Sequence, residues 1–115
     1  MRLTSEIFVA ALVRRVFSEG GFAAVERRGA EAAGAVFVVA RDRAGGLQLF
    51  GPAPQTLALE GGGRAFLREA ARDEAELAKR LAREARFDPD FWVVEIETET
   101  PETYLTLVTD ESGTP

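Results

Sequence analysis

The sequence predicts an α+β fold in which a mainly antiparallel sheet of about five or six strands is covered by two helices. Three observations carry this prediction. Residues 5–18 have the apolar spacing of a helix, residues 73–87 have helical capping and charge signals, and several short runs have the composition of strands. The predicted order is helix, three strands, a further short strand, helix and two strands.

The first helix is expected to begin at Thr4 or Ser5, either of which can cap it, and to end near Ser18, before Gly20-Gly21. Its apolar surface is wider than one sheet contact requires. That surface consists of Phe8, Val9, Leu12, Val13, Val16 and Phe17. Ordinary core packing accounts for such a surface, and so does a contact shared with a second copy of the chain.

The second helix is expected to begin at Asp73, which with Glu76 fits a reciprocal capping pattern. Acids crowd its first turn and bases its last half, so both ends complement the helix dipole. Glu76 and Arg80 also stand one turn apart in the order that favours an ion pair. Because the residue before a proline is driven out of the helical region, the helix must end near Asp88-Pro89.

The clearest strand is the segment 91–97, which follows that proline. Successive side chains of a strand point to opposite faces, and one face here is wholly apolar: Trp92, Val94 and Ile96. The other face starts apolar and ends with Glu95 and Glu97, as expected of a strand that runs out from under a cover into water.

The other strands are predicted from shorter signals. We expect a strand at 22–28 with Phe22 pointing inward and Ala24 as a second candidate for the inward face. Further strands are expected at 35–40, at 47–50 after a hairpin loop, and at 64–70, which could instead be helical. A final strand at 104–108 is expected to pair with 91–97 as a hairpin. Residues 51–63 form the longest irregular stretch, and 109–115 form a polar tail that need not be ordered.

Composition narrows the chemistry. The 115 residues predict one domain, residues 1–115, and the chain has no cysteine and no histidine. Disulfides, thiolate sites and histidine-based triads are therefore excluded. Any catalysis would depend on carboxylates, Lys79, Tyr104 or a bound cofactor, and no cofactor is predicted.

The charge is uneven, with a net value of −5. Residues 1–50 carry seven arginines against five acids, and from Asp88 onward there are eight acids and no base. This balance argues against nucleic acid as a partner. No apolar run reaches membrane-spanning length. The run from Ile7 to Val13 could pass for the core of a signal peptide, but Glu6 precedes it and Arg14-Arg15 interrupts it. We therefore expect a cytoplasmic protein with no membrane partner.

Four blocks of the sequence resemble a family of small alphaproteobacterial proteins catalogued as a domain of unknown function, the 1491 family. The blocks are Arg2-Leu3-Thr4-Ser5, Gly20-Gly21-Phe22-Ala23, Ala33-Gly34-Ala35-Val36-Phe37 and, above all, the run from Phe87 to Glu97. The resemblance covers nearly the whole chain. It implies a stand-alone domain of about this length and supplies no activity, cofactor or catalytic residue.

Two hypotheses of function follow from the residues. The first is a non-catalytic interaction protein that meets a basic partner through an acidic rim of Asp88, Asp90, Glu95 and Glu97, or meets a protein partner, including a second copy, through its first helix. The alternative is a small enzyme in which these acids hold magnesium or manganese.

Two weaker sites are also open. A small-molecule pocket lined by Phe37, Phe50 and Phe66 could lie under the 51–63 loop, although phenylalanines in strands are usually core. Gly61-Gly62-Gly63 invites comparison with a phosphate-binding loop, but no lysine followed by serine or threonine closes it.

Overall fold

The computed structural model describes residues 3–54 and 64–108. Its elements are helix α1 (Ser5–Ser18), strands β1 (Phe22–Arg27), β2 (Val36–Arg41), β3 (Leu47–Pro52) and β4 (Phe66–Arg68), helix α2 (Glu74–Phe87), strand β5 (Trp92–Glu97) and a 3-10 turn (Pro101–Thr103). The strands form one five-stranded sheet in the order β1-β5-β2-β3-β4. Only β2 and β5 are parallel to each other. The predicted α+β fold, a mainly antiparallel sheet with two helices, is confirmed.

The sheet has a core on each side, and β5 contributes to both. Trp92, Val94 and Ile96 pack with α1, whereas Phe91 and Val93 pack with α2, and all five are at most 4% exposed. Further along the α2 side the strand emerges, so that Glu95 is partly buried and Glu97 is exposed. The predicted alternation of this strand is therefore confirmed.

Both helices begin where the sequence predicts. Thr4 caps α1, because its Oγ1 accepts the Ile7 N–H at 3.2 Å. Asp73 caps α2, because its Oδ1 accepts the Glu76 N–H at 2.8 Å. Each cap satisfies a backbone donor that the helix leaves without an internal partner.

The predicted ion pair between Glu76 and Arg80 is wrong. The Glu76 carboxylate instead accepts the N–H of Arg72 at 2.8 Å, before the helix begins. Arg80 lies on the flank of α2 and pairs with Glu69 at 2.7 Å and with Glu84 at 2.9 Å. Arg80 pairs with Glu69 because its position on the flank of α2 brings the guanidinium close to the segment that precedes the helix.

The prediction that Phe22 points inward is also wrong. Ala23 is the buried residue at this end of β1, at 4% exposure, while Phe22 is 44% exposed. The register explains the difference: Ala23 pairs with Ile96, and Phe22 pairs with Glu97 on the opposite face.

The final strand of the prediction does not pair with β5. Leu107 instead forms a single parallel bridge with Phe66, and the Phe66 N–H donates to the carbonyl of Thr106 at 2.8 Å. The prediction fails because β5 already has β1 and β2 as its neighbours and offers no free edge. The predicted short strand at 64–70 is confirmed as β4.

The three phenylalanines proposed to line a pocket do not face one space. Phe50 and Phe66 belong to the α1-side core and Phe37 to the α2-side core, and none is more than 2% exposed. They are core residues. The glycine run Gly61-Gly62-Gly63, most of the predicted 51–63 loop and the tail 109–115 lie outside the described residues.

Among the helices of the described ranges, neither is long and apolar enough to cross a membrane.

Candidate functional site

The four acids predicted to form a rim lie at the two ends of β5. Asp88 and Asp90 precede the strand, whereas Glu95 and Glu97 lie at its far end. At about 3.3 Å per residue, Asp90 and Glu95 are separated by roughly 17 Å of strand. The structure therefore brings the acids together as two pairs and not as one cluster.

The first pair supports a turn. The Asp88 Oδ1 accepts the N–H of Asp90 at 3.0 Å, and the carbonyl of Asp90 accepts the N–H of Ala30 at 2.9 Å. Arg27 closes this turn by donating to the carbonyl of Pro89 at 2.6 Å, with its guanidinium 4.2 Å from the ring of Phe91. The structural contribution of Asp90 thus comes from its backbone carbonyl, and its carboxylate is exposed.

A buried polar tether beside this turn was missed by sequence reasoning. Ser5 is fully buried, and its hydroxyl donates to the carbonyl of Gly34 at 2.5 Å and accepts from Arg64 at 3.0 Å. The indole of Trp92 donates to the carbonyl of Ala30 at 2.8 Å. The loop between β1 and β2 is thereby fastened to the start of α1 and to β5. The sequence offered Ser5 only as an alternative cap, which is the position that Thr4 occupies.

The second pair of acids is divided by its partners. Glu95 is bound by Arg41, with 2.9 Å between Nε and the carboxylate, and the same guanidinium binds both carboxylate oxygens of Glu74. Glu97 is exposed and makes no ion pair with any other described residue. Arg41 therefore links the end of β2 to β5 and to the first turn of α2.

These contacts shift two ionisation equilibria. The hydrogen bonds to Glu74 and then to Glu95 raise the pKa of Arg41 further above its ordinary value. The hydrogen bond from Arg41 lowers the pKa of Glu74 below its ordinary 4.5. A carboxyl whose pKa is depressed by folding stabilises the protein above its unfolded pKa and loses that contribution as pH falls through the folded value. The Glu74 contribution is therefore present near neutrality and disappears in acid, below about pH 4.5.

We expect Glu95→Gln to lower the free energy of unfolding by about 1 kcal/mol, because a partly buried charge pair with Arg41 is lost. Glu97→Gln, two positions on, is expected to change it by less than about 0.5 kcal/mol. Urea unfolding followed by circular dichroism measures both. Equal effects of the two substitutions would show that Arg41 does not discriminate between the acids.

A cleft of about 550 Å³ lies at the carboxyl ends of β2 and β5, between the 20–22 turn, the 41–45 hairpin and residues 97–99. Its polar groups are largely committed to the loops around it. Glu99 accepts the N–H of Arg43 at 2.7 Å, and Asp42 accepts that of Gly46 at 2.8 Å. These two carboxylates therefore stabilise the loops that surround the cleft. Within the described ranges no three acids gather in a group able to hold a metal ion.

An exposed apolar surface lies along α1 and the edge strand β1. It consists of Ile7 and Phe17 on α1 and Phe22 and Val25 on β1, which are 53%, 50%, 44% and 39% exposed. The rings of Phe17 and Phe22 meet edge to face at 5.8 Å. We call this surface the α1–β1 face. Four of the six large apolar side chains that are exposed among the described residues lie on it.

The architecture and these surfaces define a small α+β domain with one helix on each side of a mixed sheet. The chain belongs to the family described as Protein of unknown function (DUF1491), whose model matches residues 3–106. The resemblance inferred from the sequence blocks is confirmed.

Solved structures give the same fold. A protein from A. tumefaciens, determined in solution, is 55% identical, with a TM-score of 0.83 over 96% of this chain and 98% of its own. A crystal structure of a DUF1491 family protein from Caulobacter crescentus is 39% identical, with a TM-score of 0.76 over 92% of this chain and 99% of its own. Among curated proteins no significant match is found.

Proposed function

We propose that this chain is a non-catalytic interaction protein that binds through its α1–β1 face, and that the occupant of this face is a second copy of the chain. The observation that carries the proposal is the concentration of half-exposed apolar side chains on two elements that pack against each other. Exposed apolar side chains gathered on neighbouring elements of a small protein are typical of a protein–protein contact.

The position of β1 supports a contact across a two-fold axis. β1 ends the sheet, so one of its edges has no neighbouring strand among the described residues. An open edge is a template for pairing with another strand. The bulge between Val25 and Arg27 limits the regular part of that edge to residues 22–25, which include the exposed Phe22 and Val25.

Charge at the border of the face favours a second copy as the occupant. Arg14 on α1 and Glu26 on β1 are both exposed, and neither has an ion-pair partner among the described residues. A two-fold interface uses the same patch on both copies, so a patch that carries both signs can match itself. If all the border residues carried the same charge, they would repel the border residues of a second copy.

The chain has no histidine and no cysteine, so Lys79, Tyr104 and the acids are the side chains that could act in catalysis. Their surroundings support a non-catalytic role. Lys79 is exposed on α2, away from the cleft. Tyr104 donates its hydroxyl to Glu19 at 3.1 Å, and burial and then this bond raise its pKa above 10.0, so it stays protonated near neutrality. The two pairs of acids at the ends of β5 offer no convergent arrangement that would favour the magnesium or manganese enzyme.

Sedimentation over a range of concentrations tests the proposal. The wild-type protein is expected to form a dimer, and Phe17→Glu is expected to weaken it at least about tenfold, because it places a charge against the apolar centre of the contact. Ala78→Glu introduces the same charge at an exposed position of α2 and is the matched control. A wild-type monomer at every concentration, or equal weakening by both substitutions, would overturn the proposal.

A further inference from the structure

A groove of about 550 Å³ runs along α2, on the side of the sheet away from α1. One wall is the outer side of α2 and the other is the segment 69–71 that precedes it. Lys79, Arg83 and Arg86 lie along the helical wall, where their spacing of four and three residues places them on one side of the helix. We call this the α2 groove.

The cations of the α2 groove differ in whether a carboxylate neutralises them. Arg80 is held by two carboxylates and its side chain is only 19% exposed. Lys79, Arg83 and Arg86 are exposed and have no ion-pair partner among the described residues. Among the described residues the groove thus presents three cations and one acid, Glu76, that have no ion-pair partner, so its unpaired charge is net positive on a chain whose net charge is −5.

An exposed ring stands at the end of this row. Phe87 is 81% exposed, the most exposed large apolar side chain of the described residues, and it follows Arg83 by one helical turn. A solvated phenyl group beside guanidinium groups combines an apolar anchor with charged contacts. Aromatic residues and arginine are enriched at protein–protein interfaces.

We propose that the α2 groove is a docking site for an acidic, extended segment of a partner protein, with carboxylates against the three cations and one apolar side chain against Phe87. This inference goes beyond the proposed self-association and does not depend on it. The positive charge of the row indicates an acidic occupant, and the length of the row indicates how many residues of that occupant contact it. The row from Lys79 to Arg86 spans about 10 Å of helix axis, which corresponds to about three residues of extended chain.

The same charges could attract nucleic acid, but two features favour a protein segment. The row offers three phosphate contacts, whereas duplex-binding proteins usually make about six to ten. The acidic remainder of the chain also repels a long polyanion, while a short segment contacts the groove alone.

The test is a titration of the full chain with a fluorescent peptide of sequence EEFEEL at low salt, read by anisotropy and by amide chemical shifts. We expect shifts concentrated between Lys79 and Phe87 and an affinity that falls as salt rises. Lys79→Glu and Arg83→Glu are each expected to weaken binding about threefold, and together about tenfold. Arg43→Glu is the matched control, because it changes net charge equally at an arginine of the 41–45 hairpin that has no ion-pair partner among the described residues.

Phe87→Ala separates the apolar contact from the charges. It is expected to weaken the peptide several-fold and to leave the salt dependence unchanged. An oligonucleotide of equal charge serves as the competing ligand. Absence of peptide binding at low salt, equal effects of Arg43→Glu and Arg83→Glu, or tighter binding of the oligonucleotide through the same residues would overturn the proposal.

Discussion

Gly29→Ala is expected to abolish cooperative folding or to lower the free energy of unfolding by more than about 4 kcal/mol. A Cβ atom at Gly29 would lie 2.6 Å from the carbonyl carbon of Phe91 and 2.7 Å from Cδ1 of Trp92, and nearer still to the carbonyl oxygen of Asp90. None of these atoms can withdraw, because β5 is held between two neighbouring strands and Trp92 fills the core. Thermal unfolding followed by circular dichroism measures the loss.

Gly20→Ala is the matched control for Gly29→Ala. Gly20 has a φ of +86°, and nothing lies within 4 Å of the Cβ that alanine would add. Its replacement by alanine is therefore expected to cost about 1 kcal/mol through backbone strain alone. If the two variants proved equally stable, the close approach of the 29–34 loop to β5 would be contradicted.

Trp92→Ala is expected to lower the free energy of unfolding by about 3–5 kcal/mol. Trp92 is the largest of the fully buried side chains, and its replacement also removes the hydrogen bond to Ala30. Phe87→Ala removes another aromatic ring, from a site that is 81% exposed, and is expected to change stability by less than about 0.5 kcal/mol. Chemical denaturation followed by circular dichroism measures both variants, and a small effect at Trp92 would contradict its place in the core.

The sequence was sufficient to predict both helices and the alternation of β5. Capping residues such as Asp73 and the stop at Asp88-Pro89 act within a few residues, so local chemistry predicts the helix ends. The alternation of β5 is read from one strand by itself. It was informative because the second face stays apolar as far as Val93, which is typical of a strand covered on both sides.

Register and tertiary hydrogen bonds could not be predicted in this way. The exposure of Phe22 depends on which residue of β5 lies opposite it, and the sequence of β1 does not specify that residue. The tether from Ser5 to Gly34 spans 29 residues, and no local pattern identifies it. The choice of Arg41 as the partner of Glu95 depends likewise on β2 and β5 being parallel neighbours.

The candidate surfaces followed the same division. Of the apolar surface predicted for α1, only Phe17 is exposed and belongs to the α1–β1 face, whereas the others pack in or against the core: Phe8, Val9, Leu12, Val13 and Val16. The exposed Ile7 was not among the predicted residues, and the contribution of β1 depends on the position of that strand at the sheet edge. The four acids were predicted as one rim because they are close in sequence. Because a strand extends the chain, residues this close in sequence still lie at opposite ends of β5.

The measurement that tests the central claim most directly is an intermolecular distance across the α1–β1 face. Because the chain has no cysteine, Val25→Cys and Ala78→Cys can each carry a single spin label. Dipolar spectroscopy at concentrations that favour association is expected to give a short distance between copies labelled at residue 25 and a much longer one at residue 78, on the other side of the sheet. No intermolecular coupling at residue 25, or a shorter distance at residue 78, would contradict the α1–β1 face as the site of self-association.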